Sequence, residues 1–169
     1  MKTVKGTTRI IIIFKNFVVK LPIIHFRRAI RSIWVNFRRG YLLECLSWDI
    51  YALFSPRRLL FRGILENWRE FCYYFRSRSP FLVPTYFSLF GIINFQKRGE
   101  KTKNEYENLW HQLYYITNGE IRVDSHTFEN SDNFCDEDGN LMIVDYGNIR
   151  IHGVLDKYGN KIFKDFYLS

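Results

Sequence analysis

The residues best suited to chemistry lie near the C-terminal end: Asp124 and His126 in Asp124-Ser125-His126, Asn133 in Asn133-Phe134-Cys135, and Asp145 within Leu141-Met142-Ile143-Val144-Asp145-Tyr146-Gly147. Carboxylate and amide oxygens are the hard ligands that Mg2+ takes, and a carboxylate that orients a hydroxyl beside such a cation is most of what phosphoryl transfer asks of a protein. Between Asn133 and Asp145 lies Asp136-Glu137-Asp138-Gly139-Asn140, an acidic Gly turn flanked by apolar segments, which predicts a hairpin. That hairpin would set Asn133 and Asp145 at adjacent strand ends. The same residues also fit a generic hairpin, and an Asp-Tyr-Gly tripeptide alone often just ends a strand.

Such a cluster needs a frame to position it. Residues 9–13 read Arg-Ile-Ile-Ile-Ile and residues 17–22 Phe-Val-Val-Lys-Leu-Pro, two β-branched runs separated at Lys15-Asn16, so a hairpin is expected with Lys20 on its second strand. Gly63 to Phe71 has helical spacing, with Glu66 and Glu70 on one face. Pro80 to Phe90 and Gly91 to Lys97 predict two further strands, the second running into a hinge at Lys97-Arg98-Gly99. Asn104 to Tyr115 predicts a helix with Leu109, Leu113 and Ile116 on one stripe and Gly119 closing it. Beyond Gly147 a second hairpin is expected: Asn148 to Leu155, a turn at Tyr158-Gly159-Asn160, then Lys161 to Leu168. Taken singly, Lys20 reads as a snorkelling strand lysine and Glu70 as a solvated helix glutamate.

In their order, a strand Lys, a helix Glu, then Asp, Asn and Asp-x-Gly, these segments resemble protein kinases, and in particular small kinase-like proteins encoded by bacteriophages, over roughly residues 9–150. The resemblance implies an α+β fold: a reduced, two-lobed kinase-like architecture with an antiparallel sheet in the upper lobe, a few helices and the C-terminal β-hairpin. It implies an upper-lobe region over 1–96, with a basic helical insert at about 25–62, and a reduced lower lobe over 97–169. It further implies ATP and Mg2+ as cofactors, Asp124 as the base, Lys20 and Asn94 on the nucleotide, Glu70 as the partner of Lys20, and Asn133 and Asp145 as metal ligands. Several features depart from the family pattern. No Gly-x-Gly-x-x-Gly loop precedes Lys20, and only a short N-terminal tail is present to cover phosphates. The interval from Asp124 to Asn133 is longer than the usual catalytic loop, and aligning His126-Thr127-Phe128 with His-Arg-Asp instead puts Phe128 where the base belongs. Asn130 competes with Asn133. The helical peptide-binding half of a protein kinase is missing.

Composition sets the outer bounds. The chain has 169 residues and 18% aromatic content, including 16 Phe and 11 Tyr, enough for a compact core and unlike a disordered chain. Its net charge of +8 is divided unevenly. Residues 1–100 carry 18 Lys or Arg against 5 Asp or Glu, and residues 101–169 carry 7 against 12. Arg27, Arg28, Arg31, Arg38 and Arg39, interleaved with Phe26, Ile30, Ile33, Trp34 and Phe37, predict a basic amphipathic helix. Such a helix suits a polyanion, an anionic membrane or an acidic host protein, and equally an insert packed on the upper lobe with a solvated Arg face. No stretch reaches the ~18 continuous apolar residues of a membrane span, and Lys15 interrupts the apolar run after Arg9, which argues against a signal peptide. Cys45, Cys72 and Cys135 are scattered as in a reduced cytoplasmic protein, and neither they nor His25, His111, His126 and His152 have zinc-site spacing. Three function classes follow: an ATP- and Mg2+-dependent phosphotransferase, a catalytically dead pseudokinase serving as a protein-binding scaffold, and a basic nucleic-acid-binding protein.

Overall fold

The computed structural model describes residues 1–41, 55–102 and 106–166. Cys45, Asn104, Leu168 and the middle of the expected 25–62 insert lie outside them. The described chain is mixed α+β, with eight strands in two antiparallel sheets and five α-helices.

The first sheet has the order β1-β2-β3-β5-β4 and comprises β1 (Lys2–Lys5), β2 (Arg9–Ile13), β3 (Phe17–Pro22), β4 (Thr85–Leu89) and β5 (Ile93–Lys97). β2 and β3 form the expected hairpin around Lys15-Asn16, closed by the stacked rings of Phe14 and Phe17 at 4.6 Å. Its register sets Ile11 opposite Lys20. Because side chains alternate along a strand, Arg9, Ile11 and Lys20 share one face. Helices α1 (Phe26–Arg38) and α2 (Pro56–Ser77) connect β3 to β4. Pro56, whose missing N–H costs nothing at a helix start, opens α2, and Arg78 in the left-handed conformation (φ 47°) ends it.

While buried Tyr73 of α2 turns to the C-terminal helix, where its hydroxyl donates to Asp156 at 2.7 Å, the face turned to the sheet carries Gly63, Asn67 and Glu70, all buried. Opposite them lie buried Lys20, Asn94 and Gln96, so this interface is polar where a helix-on-sheet contact is ordinarily apolar. Its groups are cross-linked: Asn67 Nδ2 donates to Gly91 O at 2.9 Å, Asn94 Nδ2 to Asn67 O at 2.7 Å, and Gln96 Nε2 to Val144 O at 3.0 Å. Buried polar groups are tolerated when paired in this way.

The second sheet, β6-β7-β8, comprises β6 (Glu100–Lys101), β7 (Phe134–Glu137) and β8 (Asn140–Ile143). The β7–β8 hairpin turns at Asp138 (φ 49°) and Gly139 (φ 79°), the two positive-φ positions that a tight hairpin of this hand needs. Helix α3 (Tyr106–Ile116) buries Leu109, Leu113 and Ile116. A 3-10 turn (Glu120–Asp124) and the short α4 (Ser125–Glu129) follow it.

The C-terminal hairpin is corrected. Ile149–Asp165 is one α-helix, α5, capped by Asn148, whose Oδ1 accepts from Arg150 N at 3.1 Å. Tyr158-Gly159-Asn160 is helix interior, not a turn. Ile151, Val154, Leu155, Tyr158 and Ile162 form a buried stripe at helical spacing, and Gly159 lets α5 pass close to Ser79, whose Oγ would stand 2.9 Å from an added Cβ. α5 completes the main apolar core with Tyr73, Phe81, Leu82, Leu109, Leu113, Phe128, Phe134, Leu141 and Ile143.

Candidate functional site

Lys20 comes from the middle of β3 and Glu70 from the C-terminal half of α2, and their side chains meet at 2.7 Å (Nζ to Oε1) with Glu70 fully buried. Lys20 Nζ also donates to Val144 O at 2.7 Å, which ties the strand to the segment that delivers Asp145. Arg9, on the same sheet face, adds a second cation: Nη1 donates to Glu70 Oε2 at 2.8 Å and Nη2 donates to Asp145 Oδ1. Two cations and two carboxylates thus form one continuous network across the sheet, the helix and the C-terminal segment.

Burial by itself works against the Arg9 charge, but Asp145 and Glu70 more than offset it and hold the guanidinium protonated beyond its ordinary range. Burial, only partly countered by Glu70, lowers the pKa of Lys20. Asp145 feels some desolvation, yet Arg9, Lys20 and the backbone N–H of Gly147 bring its carboxyl below the usual range. The Asp145 side chain remains 41% exposed, so solvent weakens that effect.

Asp145 opens onto a cleft of about 620 Å³. Asp124, Asn133 and Asn148 line the same cleft, together with Arg9 and the Gly6-Thr7-Thr8 turn between β1 and β2. Asp124 Oδ2 accepts from Thr127 Oγ1 at 3.0 Å and from Asn148 Nδ2, so its position is fixed from two sides. Asn133 Nδ2 donates to Thr127 O at 2.9 Å, so of its two amide atoms it is the nitrogen that is engaged there. Asn130, by contrast, spends its Oδ1 on Asp132 N at 3.1 Å. Phe128 is fully buried in the core.

Three of the candidates, Asp124, Asn133 and Asp145, therefore share the cleft. Lys20 and Glu70 stand behind it as an ion pair, joined to it through Arg9. Asn94 lies in the polar layer under the sheet, with its Oδ1 buried and unpartnered, and lines no part of the cleft. Neither does the expected hinge, Lys97 to Gly99. Lys97 pairs with Glu137, and a Cβ on Gly99 would meet Cys135 Sγ at 2.2 Å, so this segment rests on β7.

Among the cleft residues that sequence reasoning did not assign are Arg9, Asn148, the Gly6-Thr7-Thr8 turn and a set of arginines, Arg58, Arg62, Arg69 and Arg150, that adds positive charge to the wall. The signal for Arg9 was present: once the two-residue turn fixes the β2–β3 register, position 9 falls on the face of Lys20 two residues from its partner, Ile11.

Searches of protein-family models, curated proteins and solved structures return no match to this chain. Among the described residues no group of three or more His, Cys, Asp or Glu is arranged to hold a metal ion, and no helix is long and apolar enough to cross a membrane.

Proposed function

We propose that the chain is a kinase-like phosphotransferase whose cleft takes a nucleotide with Mg2+. The observation that carries this reading is the Lys20–Glu70 ion pair, formed at 2.7 Å between β3 and α2, in line with the strand-lysine and helix-glutamate pair on which kinase activity depends. Chance burial does not account for it well, since removing two charged groups from water is costly and a packed apolar pair would serve stability equally.

The donor set fits the cation. Mg2+ binds through one or two carboxylates and keeps its other positions for waters and substrate phosphates, and Asp145 with the amide oxygen of Asn133 offers that minimum. Bound there, it would neutralise charge on the transferring phosphoryl group. Asp124, held by Thr127 and Asn148, would orient the attacking hydroxyl and accept its proton. Of the arginines on the cleft wall, which also include Arg58, Arg62, Arg69 and Arg150, Arg9 is the one joined to Glu70, so the phosphates would meet guanidinium groups, with the Lys20 ammonium one step behind Arg9.

Thermal melts with ATP, with Mg2+ and with both test the reading, because ligand at ~100 times its Kd stabilises by about 2.7 kcal/mol. The expected result is a shift that needs both ligands, with phosphoryl transfer abolished by Asp124→Ala; transfer that survives this substitution would sink the assignment of the base.

One observation favours a second reading, the pseudokinase scaffold. Arg9 already neutralises Asp145, the task a metal would perform. On that reading ATP and Mg2+ give no joint shift, and no transfer is seen with or without Asp124.

A further inference from the structure

Helix α1 separates its residues by chemistry more sharply than the other long helices among the described residues. At about 3.6 residues per turn, Phe26, Ile30, Ile33, Trp34 and Phe37 fall within an arc of about 100°. All five are exposed, at 45–62% of their full surface. Arg27, Arg28, Arg31 and Arg38 occupy the adjoining arc with Arg39 just beyond the helix end, and residues 26–41 contain no acidic side chain. The helix is held to the body from a third side: Ala29 is its one buried residue, and the backbone before it is tied down where His25 N donates to Leu59 O at 3.0 Å. Both the apolar and the basic face are therefore presented outward.

We propose that α1 is a docking surface for an anionic lipid membrane and lies in the plane of the interface. An amphipathic helix with aromatic and aliphatic residues on one face and arginines on the other is built to bury the first face at the level of the acyl chains while the second meets anionic headgroups. Trp34 sits at the border of the two faces with the Arg38 guanidinium 4.8 Å above its ring, the amphipathic position that tryptophan favours at a membrane surface. Charge complementarity selects this occupant over the others. A nucleic acid offers phosphates to the arginines and, where single-stranded, bases that stack on Phe26, Trp34 or Phe37, but no apolar layer that buries Ile30 and Ile33 beside them. A second copy of the chain offers an apolar face but brings five more arginines against the first five.

Co-flotation of the full chain with vesicles tests this. Vesicles of equal parts phosphatidylglycerol and phosphatidylcholine should bind on the order of tenfold or more tightly than phosphatidylcholine alone, and added salt should weaken the binding. Ile33→Glu with Phe37→Glu should abolish flotation, and Arg27→Gln with Arg28→Gln and Arg31→Gln should remove the preference for anionic lipid. These positions are exposed, so the variants should melt with the parent chain, and a melt recorded beside each flotation separates lost binding from lost folding. Any of these results overturns the proposal: no flotation with anionic vesicles, flotation that ignores Ile33→Glu and Phe37→Glu in folded protein, or salt-sensitive DNA binding that needs the arginines and not the apolar face. A dimer that Phe37→Glu dissolves, in protein that does not float, overturns it as well and assigns the face to a second copy.

Discussion

Arg9 and Glu70 meet at 2.8 Å inside the protein, and the carboxylate they share with Lys20 has no exposed surface at all. Glu70 is thus the fully buried anion shared by two buried cations, with the part-exposed Asp145 as the second partner of Arg9. Glu70→Gln keeps the shape and removes the charge, leaving Lys20 uncompensated and Arg9 with Asp145 alone. Breaking a buried pair by removing one partner costs about 3–5 kcal/mol. Urea denaturation should report a loss of that size, and a loss below about 1 kcal/mol would mean that the network relaxes around the missing charge.

Arg9 bridges the buried pair to the cleft, so it should control what Asp145 can bind. Arg9→Met preserves the aliphatic stem and removes the guanidinium. In that variant the carboxylate of Asp145 loses its fixed cation, and the thermal shift caused by Mg2+ with ATP is expected to exceed that of the parent chain. An equal or smaller shift would indicate that Arg9 assists the phosphates more than it competes with the metal.

These residues also show which parts of the arrangement local pattern could reveal. Lys20 and Glu70 sit on a β-branched strand and an amphipathic helix, and Asn133 and Asp145 flank an Asp-Gly hairpin, Asn133 in the 3-10 turn just before β7 and Asp145 two residues past β8; short-range chemistry specifies all three elements. The last element reads as a hairpin in sequence because Tyr158-Gly159-Asn160 has the look of a turn. The stripe of Ile151, Val154, Leu155, Tyr158 and Ile162 carries the opposite message, and tertiary burial of that stripe prevails over the low helix propensity of glycine. Arg9 and Asn148 escaped for another reason. Their roles are long-range: Arg9 meets Asp145 across 136 positions, and Asn148 meets Asp124 across 24, so no window of sequence contains both partners.

His152 predicts a pH dependence. Its ring is stacked on Tyr73 at 3.8 Å and its Nε2 lies 2.8 Å from Tyr146 O. Burial lowers its pKa below 6.5 in the folded state. The unfolded chain therefore binds more protons between the folded value and 6.5, so stability contributed by the neutral ring is complete above about 6.5 and is lost as pH falls. His152→Gln can still donate to Tyr146 O and cannot titrate. Denaturation midpoints measured from neutral to mildly acidic pH should fall less steeply in the variant, and identical slopes would show that His152 does not carry the dependence.

The last prediction concerns how Asp145 is brought to Arg9. Gly147 packs so closely on α2 that a Cβ would stand 2.5 Å from Glu66 O, a backbone atom that cannot swing aside. Gly147→Ala must therefore push the segment carrying Asp145 away from the helix, at a cost of about 1–3 kcal/mol from overpacking. If the close approach serves to seat Asp145 beside Arg9, the displacement also breaks that ion pair, and the two effects are not independent. A double-mutant cycle of Gly147→Ala with Arg9→Met should then be non-additive by about 0.5 kcal/mol or more, because in the Arg9→Met background there is no pair left to lose. Additive costs would mean that the glycine shapes the core alone and that Asp145 reaches Arg9 without its help.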